Sequence, residues 1–171
     1  MEFEGFPKIP RITNEKMVVT EKIDGTNAQI CITEDGQFLT GSRNRWISPD
    51  DDNFGFSRWA HANVDELMKL GPGRHFGEWY GSGIQRGYGL SEKRFALFNT
   101  ARWGDHNPNT PKCCEVVHKI YEGELSFDML NSIKTHMQAC GSYQVPGYDN
   151  PEGVVLYLPQ MRTLYKFPWS K

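Results

Sequence analysis

Glu21-Lys22-Ile23-Asp24-Gly25-Thr26-Asn27 is the stretch whose reading decides both fold and chemistry. The alternating apolar run over residues 17–23 that leads into it reads as a β-strand. Strand side chains alternate, so Lys22 and Asp24 share one face, and Gly25 then lets the chain turn sharply. A lysine in that place can serve as a covalent nucleophile once it has lost its proton. Free lysine titrates near about 10.4. Neighbouring cations or a bound metal would lower that value, whereas Asp24 alone would raise it. The plain alternative is a hairpin whose Lys22 and Asp24 form a surface ion pair, worth under about 1 kcal/mol. The heptapeptide alone leaves both open.

Working outward, Thr40-Gly41-Ser42-Arg43-Asn44-Arg45-Trp46 brings two arginines to a strand end, suited to phosphate or ribose oxygens. In His75-Phe76-Gly77-Glu78-Trp79-Tyr80-Gly81 an acid closes a strand, and a glycine-rich run continues through Gly83, Gly87 and Gly89. That run is not a phosphate-cradling loop of the Gly-Lys-Ser/Thr type, and no helix follows it as a dinucleotide fingerprint requires. Read plainly, it is a surface loop. Arg94-Phe95-Ala96-Leu97-Phe98-Asn99 supplies aromatics for a core or for stacking on a base. Pro151-Glu152-Gly153-Val154-Val155 sets another acid at the mouth of an apolar strand, and Leu164-Tyr165-Lys166-Phe167 sets a lysine among aromatics.

The rest of the pattern gives the fold class. Apolar residues at three- and four-residue steps predict a helix over 56–70, stopped by Gly71-Pro72-Gly73. A second helix runs from the N-cap Ser126 to Gly141. Asp50-Asp51-Asp52 reads as a solvated turn and helix entry. Short strands are expected at 17–23, 27–33, 37–42, 74–79, 94–99, 116–121, 153–158 and 163–167, with a hairpin turn at Glu34-Asp35-Gly36. Many short strands with two segregated helices mean an α+β fold of antiparallel sheets with flanking helices.

Composition narrows the partners. At 171 residues the chain is expected to be one domain with its own core. A net charge of −2 excludes a basic coat that binds nucleic acid by bulk charge, so such binding must be local. Arg43, Arg45 and Arg86 mark either a side facing a nucleic acid or a scattered solvated surface. No apolar run suits a membrane span, and Met1-Glu2-Phe3-Glu4 does not begin a secretory signal. Cys31, Cys113, Cys114 and Cys140 lack metal or disulfide spacing and read as inert thiols of a reducing compartment, so a cytoplasmic location is expected; a monomer is expected as well.

In their order, these segments resemble the motifs of covalent nucleotidyltransferases, and most closely those of ATP-dependent RNA ligases of the nick-sealing RNA ligase 2 type. The likeness runs from Met17 to Phe167. It implies the nucleotidyltransferase (ATP-grasp-like) catalytic fold, ATP as substrate, Mg2+ or Mn2+ as cofactor, and RNA 5′-phosphate and 3′-hydroxyl ends as partners. It further implies that Lys22 becomes a lysyl-AMP, that Asp24 and Glu152 hold the metal, and that Lys166 offsets phosphoryl charge. Glu21, Asn27, Arg43, Glu78 and Phe98 are implied around the nucleotide: Asn27 near the α-phosphate, Arg43 on ribose or phosphate, Glu78 on a ribose hydroxyl, Phe98 on adenine. The family usually has a second cation where this chain has Leu164, and strand alternation nominates Arg162 as its replacement. Relatives commonly carry a further domain after the last motif, so a partner protein in its place is an expectation. The competing readings are a DNA ligase, a GTP-using capping enzyme, and a non-catalytic module that binds nucleotides or RNA ends.

Overall fold

In β1 (Lys16–Lys22), Met17, Val19 and Glu21 are buried while Val18, Thr20 and Lys22 are half-buried. One strand thus presents an apolar side to a core and a mixed side to a cleft. The computed structural model describes residues 1–169. Its elements continue as β2 (Thr26–Ile32), β3 (Phe38–Ser42), β4 (Trp46–Ile47), α1 (Phe56–Ala62), α2 (Val64–Leu67), β5 (Gly73–Gly81), β6 (Lys93–Leu97), β7 (Glu115–Val116), β8 (Lys119–Glu124), α3 (Phe127–Cys140), β9 (Gly153–Leu158) and β10 (Thr163–Pro168).

The strands form two sheets, a four-stranded one in the order β10-β9-β1-β8 and a six-stranded one in the order β4-β3-β2-β5-β6-β7. Every pairing is antiparallel except β6 with β7. This is the expected α+β class. On the smaller sheet, Met17, Val19, Val154, Leu156 and Leu158 meet Leu130, Ile133 and Met137 of α3. On the larger, Ala28, Ile30, Trp79 and Phe95 meet Phe56, Ala60, Leu67 and Leu70. The opposite faces of the two sheets look into the cleft. The chain crosses between sheets at Ile23–Asp24–Gly25 and returns at Val117–His118. Glu21 N–H donates to the His118 carbonyl at 3.0 Å, so the two crossings lie side by side. Ile23 and Val117 share a small core with Tyr80, Tyr88 and Val145. Among the described residues, no helix is long and apolar enough to cross a membrane.

Three local differences from the sequence reading have visible causes. The helix expected over 56–70 breaks at Asn63, whose side-chain amide donates to the Trp59 carbonyl at 2.8 Å, a local bond that competes with the helix. The strand expected over 116–121 splits into β7 and β8, because Gln144 takes the backbone between them: its Nε2 donates to the Val116 carbonyl and its Oε1 accepts from His118 N–H. The two-residue β4 lies where only a strand end was expected. Elsewhere the cues hold. Asp52 accepts from Ser57 and Arg58 N–H and starts α1. Ser126 Oγ accepts from Met129 N–H at the head of α3, and Gly141 closes it with a φ of 86°.

Candidate active site

β1 ends at Lys22, opposite Gly153 at the start of β9. That register brings the residue before Gly153 to the lysine, and Lys22 Nζ lies 2.9 Å from Glu152 Oε2. Both side chains are about four-fifths shielded. Water therefore screens this pair less than a surface pair, and removing either partner would leave a poorly solvated charge.

The turn that follows is held from the glycine-rich loop. Asp24 Oδ2 accepts from Arg86 Nε at 2.9 Å, and Asp24 N–H donates to the Tyr88 hydroxyl at 2.7 Å. Arg86 Nη1 also donates to the Asn150 carbonyl at 2.8 Å, which ties the Asp24 turn to the segment leading into Glu152. The loop is thus a clamp. Gly25 serves here by close approach: a Cβ on it would sit 2.4 Å from the Trp79 carbonyl oxygen. That proximity lets Gly25 N–H donate to Glu78 Oε2 at 3.0 Å. Burial pushes the Glu78 carboxyl up to about 7, with the Gly25 hydrogen bond and the Lys22 charge opposing the rise. Asn27 lies directly across from Glu78 in the β2–β5 ladder.

Between the sheets opens a cavity of about 1030 Å3, roughly the upper end for small-molecule sites. Lys22, Asn27, Glu78 and Phe98 all line it, together with Arg74, Phe76, Val155 and Leu164. One end offers aromatic and aliphatic surface, the other a lysine among acids. Such a space can take a planar base at one end and a charged tail at the other.

The remaining nominated residues fall outside this convergence to different degrees. Lys166 is exposed on β10, paired with the cavity-lining Val155. Arg43 is exposed in the bend after β3 and does not line the cavity. Arg162 precedes β10 and sits in a turn with a φ of 50°, so strand alternation does not place it beside Leu164 and Lys166. Glu21 belongs to the cavity wall, but its carboxylate is engaged elsewhere. Its buried carboxylate accepts from Ser142 Oγ, Tyr143 N–H and Gln144 N–H at 2.7–2.8 Å, which anchors the segment after α3. Arg45 pairs with Asp51, and Arg86 with Asp24, so neither guanidinium belongs to a free basic face. The clamp made by Arg86 and Tyr88 escaped the sequence reading, although the density of glycines there was its signal.

Among the described residues, no group of three or more His, Cys, Asp or Glu side chains is arranged to enclose a metal. The donors beside Lys22 are the carboxylates of Asp24 and Glu152. Two oxygen donors suit a hard divalent cation that keeps several waters and takes other ligands from a polyphosphate. They do not suit a structural zinc.

A family model described as RNA ligase matches residues 15–170. Solved structures share the fold. The Naegleria gruberi RNA ligase with PPi superposes with a TM-score of 0.68 at 19% identity, covering 92% of this chain and 50% of that one. A variant of the same ligase with ATP and Mn gives the same values. An apo variant gives a TM-score of 0.66 at 18% identity over the same shares. The chain therefore spans half the length of the structures it matches. The search of curated proteins found no match.

Proposed function

For a chain that belongs to the RNA ligase family, we propose ATP-dependent RNA ligation that begins with self-adenylylation at Lys22. What supports this reading is the convergence of Lys22, Asn27, Glu78 and Phe98 on one cavity large enough for a nucleotide. The neighbours solved with ATP and Mn make ATP and a divalent cation the natural ligands to test.

In the proposed first step, neutral Lys22 Nζ attacks the α-phosphorus of ATP. A nitrogen–phosphorus bond forms, the bond to the β-phosphate oxygen breaks, and pyrophosphate leaves. The adenylyl group then passes to an RNA 5′-phosphate, and a 3′-hydroxyl displaces AMP to join the strands. Glu152 holds the lysine at the mouth of β9. A divalent cation held through water by Asp24 and Glu152 would offset triphosphate charge and favour neutral Lys22. Phe98 stacks on adenine, Glu78 accepts a ribose hydroxyl, and Asn27 stands near the α-phosphate. Arg43 and Lys166, both exposed, offset phosphate charge. Glu21 acts at a distance by anchoring the segment after α3, and Arg162 has no assigned role.

Incubation with ATP and Mg2+ should add one AMP by intact mass to the parent protein and none to Lys22→Ala. An adduct on the variant would remove Lys22 as nucleophile. An adduct from GTP instead of ATP would point to capping chemistry, and sealing of nicked DNA over nicked RNA would point to a DNA ligase.

A further inference from the structure

One register row crosses the cleft-facing side of the larger sheet. Trp46 pairs with Gly41, Gly41 with Gln29, and Gln29 with Phe76. Phe98 N–H donates to the Phe76 carbonyl and extends the row by one position. Antiparallel partners point to the same side, so these residues share one face. At about 4.8 Å per strand, Trp46 stands roughly 14 Å from Phe76 across the sheet. Phe76 and Phe98 line the cavity, and Trp46 marks the far end of the row at the sheet edge.

The rings along this row are open. Trp46 is 52% exposed, Phe76 50% and Phe98 42%. Between them the surface is low. Gly41 has no side chain, and a Cβ there would come within 2.9 Å of Gln29 Cγ. The row is therefore an aromatic strip with a shallow middle, continuous with the nucleotide cavity. The Arg74 guanidinium borders it, over the Trp46 ring at 5.7 Å from its centroid, and exposed Arg43 lies in the bend between β3 and β4.

We infer that this strip is the path of a single-stranded RNA end, with bases stacked on Trp46 and Phe76 and phosphates near Arg74 and Arg43. Exposed rings with interleaved guanidinium groups are the chemistry that binds single strands without reading their sequence. The Arg74 guanidinium, which donates to Cys31 Sγ and lies over the Trp46 ring, is placed to meet the phosphate of a base stacked there. The strip explains how a chain with net charge −2 could hold RNA: by a local track rather than by bulk charge. The inference rests on the ligase reading for its choice of RNA, but its geometry does not depend on Lys22.

The test is anisotropy with a short, fluorophore-labelled, 5′-phosphorylated single-stranded RNA, run beside intact-mass adenylylation. Trp46→Leu should weaken RNA binding by about 10-fold, and Trp46→Phe should bind near the parent's affinity. Both should take up AMP as the parent does, since Trp46 lies outside the nucleotide cavity. The inference is overturned if the parent binds no RNA, if Trp46→Leu binds as the parent does, or if Trp46→Phe is as weak as Trp46→Leu. It is equally overturned if the parent is a dimer that Trp46→Leu dissociates, because a second copy then covers the strip. If RNA binding behaves as stated while no AMP adduct forms, the strip stands and the ligase reading fails. If the adduct forms and Trp46→Leu leaves RNA binding intact, the reverse holds.

Discussion

Burial holds the Glu78 carboxyl at about 7 against an ordinary 4.5, which makes this residue a source of pH-dependent stability. The folded state binds the proton more tightly than the unfolded chain. The stabilisation is complete below about pH 4.5 and is lost as pH rises through about 7, up to about 3 kcal/mol in all. Glu78→Gln keeps an oxygen to accept Gly25 N–H and carries no charge. In urea titrations it should be more stable than the parent at pH 8 by about 1–3 kcal/mol and match it near pH 4.5, while adenylylating more slowly. Parallel stability curves for the two proteins would count against a charged, strained Glu78. Sequence pattern was enough to nominate Lys22 and Phe98, which sit at strand ends, and Glu78, although β5 runs on to Gly81 and places Glu78 inside the strand rather than at the close expected from the sequence. Glu21 shows the other side. Its partners Ser142, Tyr143 and Gln144 lie more than 120 residues away, and no local pattern announces a carboxylate bonded by a distant backbone.

At the scale of elements, strands and caps were legible where one short-range force dominates, as at Ser126 heading α3 or the alternation of β1. They were illegible where a distant side chain intervenes. Gln144 divides β7 from β8 by bonding the backbone between them, and nothing at residues 116–121 foretells it. β10 illustrates how such an error reaches function. Alternation extended back to Arg162 made it a candidate cation, but β10 begins at Thr163 and Arg162 lies in the preceding turn. Leu164 is the residue that lines the cavity. Leu164→Ala should therefore slow single-turnover adenylylation several-fold, with Arg162→Ala close to the parent; a larger defect in Arg162→Ala would restore it as the second cation.

For the whole molecule, the cavity lies between two sheets that each carry a separate core, so a nucleotide bound as proposed would touch both. Ligand at about 100 times its dissociation constant should add about 2.7 kcal/mol of stability. Amide exchange should slow in β1 and β9 as well as in β2 and β5. Protection confined to one sheet would mean that the nucleotide does not bridge the cleft. The paired crossings at Ile23–Gly25 and Val117–His118 give this arrangement a mechanical property. Two covalent links set side by side act as a spine, and points on a spine move little when the covers swing. Lys22 is one residue from it, whereas Trp46 and Lys166 lie near the outer edges. A cleft hinged on that spine would open or close around substrates of different bulk while Lys22, the proposed nucleophile, kept its place.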